Sequence, residues 1–228
     1  MNGLLTPQAS PALAQVVVAL VAGVLAAAWP GRWVWPRLRM LVTIVHEGGH
    51  ALVGVLFGRR LTAIRLNHDS SGVTETWGRA RGLGVVATTF AGYPFPAFVA
   101  AVLLRAAVSG WSRTAAAAIA LVLLVMLAFA RNVRGVLVLL LAVAAAAAAA
   151  RWLASAPLTI ILCLLSGVWL AGAGRTLLEE RHARRRGAPT DLTALARHAV
   201  VPAPVWWLLM WLPVGYAGWV MAGAFAVA

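Results

Sequence analysis

Runs of about twenty apolar residues, the length a helix needs to cross a bilayer, recur along this chain. They lie at 12–29, 38–57, 83–104, 114–130, 135–150, 153–174 and 205–227, with 135–150 somewhat short. A soluble helical bundle needs a polar face at helical period, and these runs are apolar all round. The charged fraction agrees: 11% of the 228 residues are charged, against about 25% for a soluble domain. The expected fold is an all-α, polytopic membrane protein with six or seven transmembrane helices, forming a single domain over 1–228.

The net charge is +13, and all 19 basic residues are arginines. They sit in loops between the apolar runs and form no aromatic-interleaved basic patch of the kind that binds nucleic-acid strands, so they point to the positive-inside rule and not to nucleic acid. With seven alternating crossings and the N-terminus inside, loops 58–82, 131–134 and 175–204 hold thirteen arginines and the outer loops six. This predicts a cytoplasmic N-terminus. No basic residue precedes 12–29, so that run reads as a retained span and not a secretory signal. Cys163 is the single cysteine, which excludes an intramolecular disulfide and a cysteine-based metal cluster.

Two polar segments interrupt this pattern. Residues 61–77, "LTAIRLNHDSSGVTETW", are rich in β-branched residues around a "DSSG" turn and read as a membrane-associated β-hairpin. Residues 175–204 read as a charged loop carrying Glu179, Glu180 and His182 on a solvated face. A short helix then starts near Thr190 and Asp191 and ends before Pro202. Alternation puts the hairpin, "RNVRG" at 131–135, and Asp191 on the membrane side where the 38–57 helix ends.

That helix holds the chemistry. "LVTIVHEGGHALVGVLF" places His46, Glu47 and His50 inside an apolar segment, where ionisable groups are costly and functional by default. The pattern is H-E-x-x-H. Residues i and i+4 share a helix face, so His46 and His50 can bind one zinc ion while Glu47 acts as general base toward a zinc-activated water. Gly48 and Gly49 leave the backbone bare for close approach or helix packing. A catalytic zinc needs a third protein ligand. Asp191 is a candidate, and capping its own helix is an equal alternative.

Together these segments resemble the site-2 protease family of intramembrane zinc metalloproteases, and most closely its bacterial, actinobacterial-type branch. The resemblance rests on "TIVHEGGHALVGVLFGRRLTAIRL", "SGVTET", "AGYPFPA", "RNVRG", "TDLTALA" and "PAPVWWLLMW", in order over residues 40 to 211. It implies His46, His50 and Asp191 as zinc ligands, although the family's usual Leu-Asp-Gly motif is absent, and Glu47 as the base. It implies hydrolysis of membrane-protein substrates, single-span in the simplest case, within a bacterial cell membrane. It further suggests that substrate adds as a strand to the hairpin and that Asn132 donates to the oxyanion, the alternative for Asn132 being a helix cap. The two prolines in "AGYPFPA" either kink their helix and open room beside the zinc or are a packing feature only. A non-proteolytic regulator or scaffold of the same fold, binding zinc or a partner, is the alternative function. An ion pathway using the same residues as relays ranks below it, because no paired discontinuous segments are evident.

Overall fold

The computed structural model describes residue 4, residues 6–31 and residues 33–225. Arg32 and residues 226–227 of the last apolar run lie outside them. The elements follow in the order α1 (Leu13–Ala28), α2 (Trp35–Leu56), β1 (Arg60–Leu66), β2 (Gly72–Trp77), α3 (Leu83–Ala91), α4 (Phe95–Val108), α5 (Ser112–Ala128), α6 (Val133–Trp152), α7 (Ser155–Arg185), α8 (Asp191–His198) and α9 (Ala203–Gly223). The expected helical class and the single hairpin are both present.

Among the described residues three helices, α6, α7 and α9, are long and apolar enough to cross a membrane. A fourth crossing is available if α3 and α4, bent by 62° at their junction, act as one. Pro94 and Pro96 sit at that junction and remove the N–H groups a continuous helix would need. Helices α1 and α5 are apolar but shorter, at 16 and 17 residues. Helix α2 has the length, 22 residues, but its arginines and its H-E-x-x-H segment dilute its apolar character. Large apolar side chains stay exposed along α5, α6 and α9, among them Leu121, Leu137, Leu141, Leu212 and Trp219. Hydrocarbon is the solvent that suits such a surface.

Helix α7 organises the molecule. It packs on α1, α2, α4 and α9 and carries Leu158, Leu162, Cys163, Val168, Ala173 and Leu177 into the core. Its pairing with α1 is close enough that a Cβ on Gly23 would fall 2.0 Å from Leu164 O, and one on Gly167 2.1 Å from Leu20 O. Such small-residue contacts let membrane helices touch backbone to backbone.

Two sequence expectations are corrected here. Residues 175–185 are not a loop but the last turns of a 31-residue helix. Leu, Glu, Arg and Ala are strong helix formers, Arg175 pairs with Glu179 one turn on, and the basic last turn complements the helix dipole. The second correction concerns direction. Gln8 N–H donates to Gly110 O, and nearby Ser112 bonds Thr159 close to the start of α7. At the other end Arg175 donates to Ala27 O and Trp29 O. Helices α1 and α7 therefore run in the same direction. Seven alternating crossings would make them antiparallel, so not every intervening run crosses. The side assignment of 175–204 fails with that alternation, and so does the arginine bias that argued for a cytoplasmic N-terminus.

The hairpin is antiparallel, with Arg60 opposite Trp77, Leu66 opposite Gly72 and a bulge between Leu61 and Ala63. It does not sit at the end of α2 but lies along it. Its tip docks on the first half of α2: Thr43 Oγ1 donates to Ser70 O at 2.8 Å, and Ser70 Oγ donates to Pro36 O at 3.0 Å. At the tip the Ser71 hydroxyl and N–H donate to Asp69 and hold its carboxyl below the ordinary value. The outer edge of β1 is closed by residues 129–132. Ile64 N–H donates to Phe129 O and Arg131 N–H to Ile64 O. The Asn132 side chain extends this ladder by accepting from Leu66 N–H at 3.2 Å and donating to Leu66 O at 2.7 Å. Backbone inside a membrane protein must be satisfied in this way. Among the described residues β2 has a sheet partner on one edge only.

Candidate metal centre

His46 and His50 leave α2 one turn apart on the same face, and their Nε2 atoms are 3.0 Å apart. Asp191, the first residue of α8, brings Oδ2 to 3.5 Å from His46 Nε2 and 3.3 Å from His50 Nε2. The ligand-capable atoms of the three residues all lie within 4.8 Å of one another. An ion about 2.0–2.2 Å from each donor fits between atoms so spaced. Two imidazoles and a carboxylate are also a chemically suitable set for zinc.

The imidazoles are held in place. His50 Nδ1–H donates to Thr88 O at 2.7 Å, which leaves Nε2 as the free acceptor facing Asp191 and His46. This is the usual way a ligand histidine is oriented. The His46 ring is gripped edge-on between His50 and Tyr93, with centroids 4.6 and 4.5 Å away. The junction of α3 and α4 presses on this side of α2. A Cβ on Gly49 would fall 2.6 Å from Phe95 Cβ, and a Cβ on Gly92 would fall 2.4 Å from His50 Nε2 and 2.6 Å from His46 Cε1. Glycine at these two positions is what lets the junction reach the donors.

Glu47 is buried, at 3% exposure. Its Oε2 accepts from Thr74 Oγ1 at 2.6 Å, and Gly72 is so close that a Cβ there would sit 2.5 Å from its Oε1. Strand β2 thus lies directly against the glutamate. Two cavities flank this strand, and both are lined by His46, Glu47, Gly72 and Asp191. One, of about 980 Å³, extends past Arg39, Glu179 and Arg186. The other, of about 450 Å³, runs between Val73–Thr76 of β2 and Val85, Thr88 and Thr89 of α3.

The structure therefore gathers His46, Glu47, His50 and Asp191, which the sequence separates by up to 145 positions. It does not bring Asn132 to them. Asn132 caps α6 by accepting from Gly135 N–H at 3.2 Å, spends the rest of its amide on Leu66, and lines neither cavity. Asp191 does not cap its own helix; Thr190 does, accepting from Thr193 N–H at 3.3 Å.

The sequence reading missed Thr74, Tyr93 and Glu180. Glu180 is not on a solvated face but 6% exposed. It accepts from Leu192 N–H at 3.0 Å and from Tyr93 O–H at 2.6 Å. A signal existed: Ala173 and Leu177, both fully buried, continue to residue 180 at helical spacing. Glu179 accepts from Trp35 Nε1 at 2.6 Å and pairs with Arg39 at 3.3 Å, tying α7 to the start of α2.

A family model described as Peptidase M50B-like matches residues 16–222 in one stretch. No curated protein and no solved structure matches the chain. The match runs from within α1 to within α9 and takes in every residue of the three-donor cluster. The chain belongs to the Peptidase M50B-like group of the site-2 protease family, membrane-embedded metallopeptidases.

Proposed function

We propose that the protein is a zinc-dependent intramembrane endopeptidase of a bacterial cell membrane, cleaving peptide bonds of membrane-protein substrates. The observation that carries this reading is the cluster of His46, His50 and Asp191 donors, all within 4.8 Å, beside the buried carboxylate of Glu47.

His46, His50 and Asp191 would hold the ion. When bound, zinc supplies Lewis acidity toward a peptide carbonyl and makes hydroxide available near neutral pH. Glu47 is the general base: its carboxylate takes a proton from the attacking water and returns it to the departing amide nitrogen. Thr74 holds that carboxylate in place through the 2.6 Å hydrogen bond to Oε2. The substrate backbone enters the cavity of about 450 Å³ between β2 and α3. There it adds as a strand to the free edge of β2, which places an extended peptide beside Glu47. Strand addition supplies main-chain hydrogen bonds without demanding a particular sequence, and it suits a substrate that must unwind before hydrolysis. Asn132 serves this site by fixing the opposite edge of the hairpin, and we assign it positioning and not contact with substrate.

The test uses purified protein in nanodiscs with a panel of single-span membrane peptides. Wild type cleaves at least one peptide, chelation stops cleavage, zinc restores it, and Glu47→Gln binds zinc without cleaving. Cleavage by Glu47→Gln at the wild-type rate overturns the mechanism. Zinc binding with no cleavage across the panel favours the regulator or scaffold.

A further inference from the structure

Glu180 accepts hydrogen bonds from two elements that each touch the donor cluster. Its Oε1 takes the N–H of Leu192, the residue after Asp191, at 3.0 Å. Its Oε2 takes the hydroxyl of Tyr93 at 2.6 Å, and the Tyr93 ring lies edge-on against His46. The carboxylate is 6% exposed, and no cation pairs with it among the ion pairs of the described residues. A carboxylate is costly to bury unless hydrogen bonds replace water. Here both replacements come from the frame of the metal centre.

The geometry of α8 makes this contact consequential. The helix has eight residues, too few to be stable by itself, and Leu192 and Leu195 dock it on α7 and α9. Apolar docking is non-directional and does not by itself set the height or rotation of the first turn. Directional bonds do that, and the first turn has two from side chains: Thr190 takes the N–H of Thr193 from within the segment, while Glu180 takes the N–H of Leu192 from α7. The second ties the first turn of α8 to α7, as the Asp191 contacts with His46 and His50 tie it to α2.

We infer that Glu180 is the positioning residue of the metal centre, a clasp on α7 that sets Asp191 through the Leu192 N–H and His46 through Tyr93. This rests on the metal reading above. Groups that orient metal ligands change affinity by about 10- to 100-fold when removed, and Glu180 acts on two ligands at once. Glutamine at 180 keeps one acceptor oxygen but turns an NH₂ toward the other donor, so one arm must open.

The experiment measures zinc affinity by chelator competition, and the visible spectrum of the Co²⁺-loaded protein, for the purified full chain. The expected result is that Glu180→Gln weakens zinc by about tenfold or more and alters the cobalt spectrum, while the metal-free protein melts as wild type does. Tyr93→Phe, which opens one arm only, gives a smaller loss in the same direction. Adding Glu180→Gln to Asp191→Ala causes less loss than it does in wild type, because part of its effect runs through Asp191. Wild-type affinity and an unchanged cobalt spectrum in Glu180→Gln overturn the clasp alone. So does equal destabilisation of the metal-free protein by both single variants, which would make the contact ordinary packing. A wild-type protein that binds no zinc overturns the metal reading, and the clasp with it.

Discussion

Thr74 donates its hydroxyl hydrogen to Glu47 Oε2 at 2.6 Å and also lies 3.2 Å from the Glu47 carbonyl oxygen. The proposed base and the strand proposed to receive substrate are therefore one mechanical unit. A hydrogen bond to a charged group contributes about 1.5–3 kcal/mol, so Thr74→Val should slow cleavage by about ten- to a hundredfold. Zinc content should not change, and Thr74→Ser should recover most of the rate. Full activity in Thr74→Val would separate the strand from the base.

Gly92 lies where a side chain would occupy the donor cluster. Gly92→Ala puts a Cβ 2.4 Å from His50 Nε2 and 2.6 Å from His46 Cε1, and the α3–α4 junction must retreat to admit it. Zinc affinity should fall by at least about tenfold, the scale on which displaced ligands respond. Gly215→Ala, where a Cβ meets nothing within 4 Å, is the control and should bind zinc as wild type does.

Zinc should stabilise the folded protein by mass action. At a free concentration a hundredfold above Kd the gain is about 2.7 kcal/mol. Thermal melting with and without chelator reads it directly. His46→Ala, His50→Ala and Asp191→Ala should each abolish most of this zinc-dependent rise. A rise that persists in Asp191→Ala would remove Asp191 from the ligand set.

Asn132 closes the β1 edge and caps α6 with one side chain. Losing a cap alone costs about 1 kcal/mol, and Asn132→Ala also strands the Leu66 backbone. The variant should lose about 1–3 kcal/mol of stability and exchange the Leu66 amide faster, while zinc affinity stays near wild type. Unchanged Leu66 exchange with abolished cleavage would return Asn132 to a direct catalytic role.

The shared direction of α1 and α7 predicts which ends meet the same solvent. Cys163 is buried, so single cysteines placed elsewhere can be read against a quiet background. An impermeant maleimide should label Ser10→Cys and Ala154→Cys from one side of oriented vesicles and Arg186→Cys from the other. Labelling of all three from one side would contradict the packing of α1 on α7.

The parts of the site legible in the sequence are those fixed by local geometry. His46 and His50 share a face because a helix has 3.6 residues per turn. The hairpin shows in its β-branched strands and turn residues, and the α3–α4 break in its prolines. Asp191 was legible only as one of two readings, since an aspartate opening a helix looks the same whether it caps or ligates. The structure gives the cap to Thr190 and sets Asp191 beside His46 and His50, which supports the ligand reading proposed here. Glu180 was misread because a charged run looks solvated in one dimension. Its burial depends on α8 and Tyr93 arriving from elsewhere in the chain.

Composition and period determined that the protein is helical and suited to a membrane, and they located two imidazoles and a carboxylate on one helix. These follow from hydrophobicity and from bonds between near neighbours, which every residue carries with it. The direction of α7 relative to α1, the hairpin lying along α2, the meeting of Asp191 with His46 and His50, and the contact of Glu180 with Leu192 and Tyr93 were decided by tertiary packing. Apolar helices are interchangeable by composition. Their order in space is set by side-chain shape at contacts such as Gly23 on Leu164 and by single hydrogen bonds between distant residues, and neither leaves a period in the sequence.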